Sequence, residues 1–201
     1  MAFNTPRSLT SILVSNPWYY DSRACFISFK IDGTGELWCG GELAIYIVYE
    51  FDWKISTPEY LHQPIDPNGN REKGGNVHPL AQFTLEITRR RGPLHERTNQ
   101  PVRIDDRLAD SVFEEKQTYK VGLEKGRFPA PIIANRLHEF PGSEMLGLRL
   151  VFDRSPYPGA KDWRPGALQV SGINGMVGAR QFVSHSIGSF NGSLVDRCIV
   201  G

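Results

Sequence analysis

Apolar and polar residues alternate with a period of two along much of this chain, and this pattern constrains the fold more than any other feature. In CFISFKID the odd-numbered positions from Cys25 to Ile31 are apolar, and apolar odd-numbered positions return from Leu37 to Ile55. Successive side chains of a β-strand point to opposite faces, so this pattern predicts strands with one buried and one solvated face. We therefore expect an antiparallel hairpin here.

The turn of this hairpin is expected in the segment GTG. A two-residue loop would place Ile31 opposite Glu36, whereas a three-residue loop, Gly33–Thr34–Gly35, places Ile31 opposite Leu37. Cross-strand neighbours share a face, which favours the three-residue loop. In this register Phe29 lies opposite Cys39 and Cys25 opposite Leu43, and Gly35 takes the left-handed position of the loop.

The second strand is predicted to run from Leu37 to Ile55, whereas ordinary strands have about three to ten residues. Extended fully, it would measure about 60 Å, so it must coil or bend. Gly40–Gly41 is the expected bend, without an inserted residue because the apolar positions stay odd on both sides. Long, bent antiparallel strands are typical of closed barrels.

Other segments alternate in the same way, namely LAQFTLEITR, TYKVGLEK, MLGLRLVFDR and a weaker pair near ALQVSGI and RQFVSHSI. One candidate helix, DDRLADSVFEEK, begins at Asp105 or Asp106, although Val112 and Phe113 also suit a loop packed on a barrel mouth. The sequence therefore predicts an all-β fold: a single antiparallel up-and-down barrel of about eight strands. We expect long loops, at most one or two short helices, and one domain over residues 1–201.

Composition limits the classes of partner. The net charge is +1, so no basic field attracts nucleic acid. No apolar run reaches the roughly 18 residues of a membrane span. Three sparse cysteines are not a disulfide framework, and the N-terminus lacks the apolar run of a signal peptide. We expect a cytoplasmic protein with neither nucleic-acid nor membrane partners; a homodimer would cover strand edges, but no pattern specifies one.

The segment NPWYYDSRACFISFKIDGTGELW resembles the opening of lipocalin-like (calycin) barrels. In that superfamily a Gly-X-Trp motif lies on the first strand and its tryptophan plugs one end of the barrel; Trp18 matches it, with Asn16 in place of the glycine. The resemblance implies binding of a hydrophobic small molecule, and an arginine packed across the tryptophan, a role open to Arg89. Some lipocalin-like barrels of fungal natural-product pathways are cofactor-free cyclases, including pericyclases.

Motifs for metals and cofactors are not found in the sequence. The five histidines form no close pair, the cysteines form no Cys-X-X-Cys, and no Gly-X-Ser-X-Gly is present. The glycine-rich GTGELWCGG lies between strands, whereas a phosphate cradle needs a helix after its loop. We therefore expect neither a metal nor a cofactor.

The candidate catalytic residues are Tyr49, Arg89 and His78. Tyr49 shares the apolar face of YEFDWK and would donate a hydrogen bond to a ligand, unless it is plain core. Arg89 shares the parity of the buried face of its strand, unless it ends that strand in solvent, and His78 borders a long loop, as does His62. If the polar face of YEFDWK points inward instead, Glu50 and Asp52 are the acid and base. The predicted ligand-binding residues share the apolar faces: Trp18, Phe29, Ile47, Phe51, Trp53, Phe83, Leu85, Tyr119, Leu148 and Phe152.

Three functions fit these expectations. The first is a cofactor-independent enzyme of secondary metabolism, a cyclase, dehydratase or isomerase, which holds an apolar substrate in a reactive conformation. The second is a carrier of hydrophobic ligands with the same cavity, and the third is an interaction module with a solid barrel. Buried ionisable groups inside the barrel favour the enzyme, whereas a purely apolar lining favours the carrier.

Overall fold

The computed structural model describes residues 7–21, 25–40, 45–57, 65, 77–91, 108–113, 115–165 and 178–185, with the side chains of 45–48 excepted. A short α-helix, α1, spans Leu9–Leu13 and is capped by the Ser8 side chain, which accepts a hydrogen bond from the Ser11 N–H. The described residues form eight strands: β1 (Trp18–Tyr19), β2 (Cys25–Phe29), β3 (Thr34–Gly40), β4 (Ile45–Ile55), β5 (His78–Arg90), β6 (Lys116–Phe128), β7 (Leu146–Phe152) and β8 (Gln181–Ser184).

The eight strands form one closed antiparallel barrel. Each strand pairs with the next along the chain, and β8 pairs with β1 to complete the ring. The longest ladder joins β5 to β6, and the closing contact between β1 and β8 is made at Tyr19 and Val183. The prediction of an all-β, up-and-down barrel of about eight strands is confirmed. Among the helices that the structure describes, none is long and apolar enough to cross a membrane.

The first hairpin differs from its predicted register. Phe29 pairs with Gly35, and the loop lies at Ile31–Asp32–Gly33, closed by a 2.7 Å hydrogen bond from the Lys30 N–H to the Thr34 carbonyl. Gly33, with φ of 84°, takes the left-handed conformation that was predicted for Gly35. The loop has the predicted length of three residues but begins two residues earlier.

The physical reason for this difference is that hydrogen bonds among the polar turn residues stabilise the observed register more than burial of one apolar residue would stabilise the predicted one. The Asp32 carboxylate accepts hydrogen bonds from both the backbone N–H and the hydroxyl of Thr34, which stabilises the observed turn. Ile31 is left 78% exposed. Moving the loop by two residues keeps the odd-numbered positions on the buried face, so alternation alone could not distinguish the two registers.

The predicted long strand from Leu37 to Ile55 is two strands. β3 ends at Gly40, β4 begins at Ile45, and the two pair antiparallel with Leu37 opposite Tyr49. The prediction of a bend without an inserted residue is therefore wrong: the chain reverses between Gly40 and Ile45, and the register shifts between Cys39 and Gly40. The pairing joins odd-numbered residues to odd-numbered residues, so a reversal and a bend produce the same alternation.

The side chains of the predicted apolar faces fill the interior, at odd-numbered positions in β5 and β6 and at even-numbered positions in β7. Those of β5, β6 and β7 are buried: Phe83, Leu85, Ile87, Tyr119, Val121, Leu123, Leu146, Leu148, Leu150 and Phe152. The third predicted segment is β7, and RQFVSHSI contains β8, whereas ALQVSGI lies outside the described residues.

The predicted helix after Asp105 is shorter than expected. Its described part contains only a 3₁₀ turn, Asp110–Phe113, in which Val112 is buried and Phe113 packs on the core. Leu108 forms an isolated bridge with Trp163 instead of a helical turn. The alternative of a connection packed on the barrel is therefore the observed one.

Candidate functional site

A cluster of polar side chains is buried inside the barrel near the end of β5. Arg89 pairs with Phe51 of β4 and is 4% exposed. Tyr49 of β4 and Tyr119 of β6 are each 1% exposed. All three side chains point into the barrel, because side chains alternate between the two faces of a strand and each of these lies on the same face as the apolar core residues of its strand.

Two of these side chains donate hydrogen bonds to one oxygen atom. The carbonyl oxygen of Pro156, in the connection after β7, accepts from the Tyr49 hydroxyl at 2.7 Å and from Nη2 of Arg89 at 3.0 Å. Nη2 of Arg89 also lies 3.5 Å from the Tyr119 hydroxyl. The donors converge on a single buried point, which is the arrangement that stabilises a partly or fully negative oxygen.

The positive charge of Arg89 is poorly compensated. The one carboxylate in ion-pair range among the described residues is Asp162, at 3.9 Å from Nη1 of Arg89. The Asp162 carboxylate also accepts a hydrogen bond from the Gly159 N–H at 2.8 Å. Within the described part of the chain, Nε of Arg89 has no hydrogen-bond partner. A buried charge without close pairing has a large desolvation cost. A negatively charged ligand at this site would offset part of that cost.

Burial keeps the tyrosines neutral and able to donate. It raises the pKa of Tyr49 to about 12, against a smaller opposite effect of Arg89. Burial also raises the pKa of Tyr119, again opposed by Arg89. Burial alone would lower the pKa of Arg89, but Coulombic interactions with Tyr49 and Tyr119, which act where these tyrosines ionise at high pH, raise that pKa overall. The site therefore holds one fixed cation and two neutral hydroxyls.

Aromatic rings line the interior beside this cluster. Phe51 contacts both Tyr49 and Phe29 edge-on, with ring centroids 6.4 and 5.8 Å apart, and Phe29 lies 5.2 Å from Trp53. On the facing wall, Tyr119 and Phe152 are 5.8 Å apart. Such edge-to-face contacts stabilise a packed aromatic wall.

Most of the predicted ligand-binding residues are therefore interior residues. Those that the structure buries are Trp18, Phe29, Phe51, Trp53, Phe83, Leu85, Tyr119, Leu148 and Phe152. Ile47 of β4 pairs with Cys39 of β3, but the side chain of Ile47 is outside the described part of the structure. Burial places these residues inside the barrel, and their contact with a ligand stays a prediction.

Trp18 is fully buried in β1, and its Nε1 donates to the Leu13 carbonyl oxygen at 3.0 Å, joining α1 to the barrel. The resemblance to lipocalin-like barrels implied that Arg89 packs across this tryptophan. The aromatic ring beneath the Arg89 guanidinium is instead that of Tyr49, at 5.4 Å from the ring centroid. Arg89 thus belongs to the polar cluster.

His78 is not brought to this cluster. It is the first residue of β5 and pairs with Lys125, whereas Arg89 lies near the last residue of the same strand. At about 3.3 Å per residue, the two positions are roughly 35 Å apart along the strand. His62 and His95 lie outside the described residues. A shared role of His78 with Tyr49 therefore has no geometric support.

The alternative in which Glu50 and Asp52 point inward is contradicted. Both carboxylates lie on the outer face and form ion pairs with Arg90, at 3.5 Å and 3.4 Å. The side chain of Asp52 is 55% exposed. The inward face of β4 is the apolar one, so these carboxylates are not an acid–base pair inside the barrel.

Sequence reasoning missed Pro156, Asp162 and Tyr157, which all come from the connection after β7. Tyr157 is buried, stacks on Phe182 at 6.0 Å and donates to the Trp38 carbonyl oxygen at 3.2 Å. A main-chain carbonyl carries no residue signature, and this connection has no periodicity. The one available signal was the length of the connection, since long loops often carry function.

Comparison with known proteins identifies no relative of this chain. No protein-family model matches the chain, and no curated protein or solved structure is similar enough to count as a match.

Proposed function

We propose that the protein binds an apolar small molecule inside the barrel and rearranges it by proton transfer without a cofactor, as a cyclase, dehydratase or isomerase. The observation that carries this proposal is the convergence of the Tyr49 hydroxyl and the Arg89 guanidinium on one buried oxygen. The surrounding aromatic wall suits an apolar substrate. The lipocalin-like character of the opening sequence supports the same class of ligand.

The chemistry follows from the protonation states of these groups. Tyr49 gives its proton to a hydroxyl of the substrate, which leaves as water, and the resulting phenolate takes up a proton from a neighbouring carbon. Arg89 stabilises the negative charge while it lies on the phenolate or on a substrate oxygen. Tyr49 thus ends the reaction in its protonated form. The wall of the barrel holds the substrate in its reactive conformation.

A carrier that binds a ligand at the same place is the second candidate, and it predicts no chemical change in its ligand. Buried ionisable groups favour the enzyme over the carrier, because a buried cation whose nearest carboxylate stands at 3.9 Å has a desolvation cost that an apolar lining would not have. A solid-barrel interaction module is the third candidate. Its support is the close aromatic packing around Phe29, Phe51 and Trp53.

Native mass spectrometry of the protein purified from its own cells, followed by gentle extraction, tests this function. The enzyme predicts a bound apolar metabolite that is converted on incubation with wild-type protein and not with Tyr49→Phe. Tyr19→Phe is the matched control, because Tyr19 pairs its ring with Phe26, away from the cluster. A ligand returned unchanged by wild-type protein would establish the carrier. Protein that holds no metabolite and ignores hydrophobic dyes would favour the interaction module.

A further inference from the structure

The connection between β6 and β7 exposes an apolar surface on the outside of the barrel, and we propose that this surface binds the same surface of a second copy of the chain. We call it the outer patch, and its members are Ile132, Leu137, Phe140 and Met145. None of these side chains lies inside the barrel, so the proposal does not depend on the proposed function.

The outer patch holds most of the exposed apolar side chains. Among the described residues, six large apolar side chains are exposed, and four of them belong to this connection. The connection contains two short 3₁₀ turns over Pro131–Glu139, which meet at Arg136, and no residue of these turns is buried. Single exposed apolar residues are normal, whereas their concentration in one segment marks an interaction surface.

Two members of the outer patch share one face of a turn. The Phe140 N–H donates to the Leu137 carbonyl oxygen at 3.1 Å, which is the three-residue spacing of a 3₁₀ turn. Side chains three residues apart in such a turn are eclipsed. The Arg136 guanidinium lies 5.3 Å from the centroid of the Phe140 ring. Leu137 and Phe140 therefore form one continuous apolar surface beside a charged group.

The connection is held against the barrel without the side chains of the outer patch. The Ile132 N–H donates to the Tyr20 carbonyl oxygen at 3.2 Å, and the turns lie against β8. A small core, separate from the one inside the barrel, joins the ends of the connection to β8; it consists of Phe128, Leu146 and Val183. A partner therefore meets an ordered surface, which lowers the entropy cost of binding.

A row of aromatic side chains continues this surface across β1, β2 and β3. Tyr19 pairs with Phe26, and Phe26 pairs with Trp38, with ring centroids 6.2 and 6.3 Å apart. All three rings are half-buried and lie on the outer face, since the core residues of these strands alternate with them. A stable interface covers about 800 Å² of each partner. Four partly exposed side chains do not supply that area, and the aromatic row adds to it.

The charges of the connection favour a second copy over other partners. Nε of Arg136 donates to the Glu139 carboxylate at 2.9 Å, and His138 stands 3.7 Å from the same carboxylate. Glu144 lies 3.5 Å from His185. Each carboxylate thus stands beside a basic group, so the surface offers no run of one sign to an anionic membrane or a strongly charged partner.

A two-fold axis brings such a surface against itself. In that arrangement Arg136 of one protomer can pair with Glu139 of its partner, whereas two surfaces of one sign would repel each other. The apolar centre with an aromatic ring and a methionine also has the composition that interface cores favour.

Sedimentation velocity of the full chain tests the proposal, at protein concentrations from about 0.1 to 100 μM, which span micromolar affinities. We expect wild-type protein to pass from monomer to dimer over this range. With Leu137→Ser and Phe140→Ser combined, the dissociation constant should rise at least about a hundredfold, because a few central apolar residues dominate binding. Ile31→Ser is the matched control: Ile31 is equally apolar and exposed, but it lies in the hairpin loop between β2 and β3. It should leave the dissociation constant unchanged.

Wild-type protein that stays monomeric over the whole range overturns the proposal, and binding of that monomer to phosphatidylcholine vesicles would assign the surface to a membrane instead. A dimer that survives the double substitution overturns it too, because another surface then joins the two copies. If the double variant does not fold, as judged by circular dichroism, hydrogen exchange of wild-type protein decides. The amides of residues 131–145 should exchange more slowly at the highest concentration than at the lowest, and equal rates overturn the proposal.

Discussion

The ring of Phe51 lies against Gly35, its partner across β3 and β4, where no side chain would fit. A Cβ atom on Gly35 would clash with the Phe51 ring and would stand 2.5 Å from the carbonyl oxygen of Ser28. Gly35 is therefore required by close packing and not by its backbone conformation, since the positive φ of this hairpin belongs to Gly33. The glycine lets an aromatic ring fill the space next to the polar cluster.

Gly35→Ala is expected to destabilise the barrel by about 1–3 kcal/mol, the usual cost of overpacking a core. Gly122→Ala is the matched control in a strand, because a Cβ there would meet only the Val151 carbonyl oxygen at 4.0 Å. It should change the free energy of unfolding by less than about 1 kcal/mol. Urea unfolding of both variants measures the difference, and equal effects would contradict the close contact between Phe51 and Gly35.

The buried face of each strand was predictable because it depends only on local alternation. Phe83 and Leu148 are buried as their parity required. The partner of each residue was not predictable in the same way: shifting the first loop by two residues, or turning the chain back after Gly40, leaves parity unchanged. In the first loop the hydrogen bonds of Asp32 decide the register, and the alternation of apolar residues does not report them.

The same limit explains what was found of the candidate site. Parity was enough to place Tyr49 and Arg89 inside the barrel. Their shared acceptor, the Pro156 carbonyl, lies 107 positions along the chain from Tyr49 in a connection without periodicity. Contacts of that kind are set by the closure of the barrel, so no local pattern reports them. His78 was expected at the site because it borders a loop, but it is the first residue of β5, whereas Arg89 lies near the last residue of that strand.

Phe83→Ala should reduce the free energy of unfolding by about 3–5 kcal/mol, because it removes a buried ring and leaves a cavity. Leu148→Ala should cost about 2–5 kcal/mol for the same reason. The matched control is Gln82→Ala, whose side chain is exposed on the other face of the same strand, with an expected change within about 0.5 kcal/mol. Urea unfolding gives all three values, and a larger cost for Gln82→Ala would mean that the faces are inverted.

Tyr49→Phe should cost about 1 kcal/mol in the wild-type background, because Arg89 still donates to the Pro156 carbonyl. In an Arg89→Met background the same change leaves that buried carbonyl without either donor, and we expect a cost of about 2 kcal/mol or more. A double-mutant cycle by urea unfolding measures this coupling.

Tyr157→Phe serves as the control for this cycle. The Tyr157 hydroxyl donates to the Trp38 carbonyl oxygen. The cost of Tyr157→Phe in free energy of unfolding should therefore be the same in the wild-type and the Arg89→Met backgrounds. If Tyr49→Phe were also additive with Arg89→Met, the two side chains would not depend on the same acceptor.

The outer face of β5 carries a carboxylate that links stability to acid pH. Hydrogen bonds from the Ser56 side chain, and then from Lys116 and Lys54, lower the pKa of Glu86 from its ordinary value of 4.5 to about 2. The ammonium groups of Lys116 and Lys54 stand 3.1 and 3.2 Å from its carboxylate. Because the folded-state pKa is depressed, the unfolded chain binds the proton first as the pH falls.

The contribution of Glu86 is therefore fully present above its ordinary pKa of 4.5 and is lost as the pH falls towards about 2. We expect the urea midpoint of wild-type protein to drop more steeply over this window than that of Glu86→Gln, with the two curves converging at the acid end. Glu144→Gln removes a carboxylate elsewhere, paired with His185 at 3.5 Å, and should leave the Glu86 step in place. Parallel curves for wild type and Glu86→Gln would show that the lysines and Ser56 do not hold this carboxylate, since a depressed pKa requires that its partners favour the charged form.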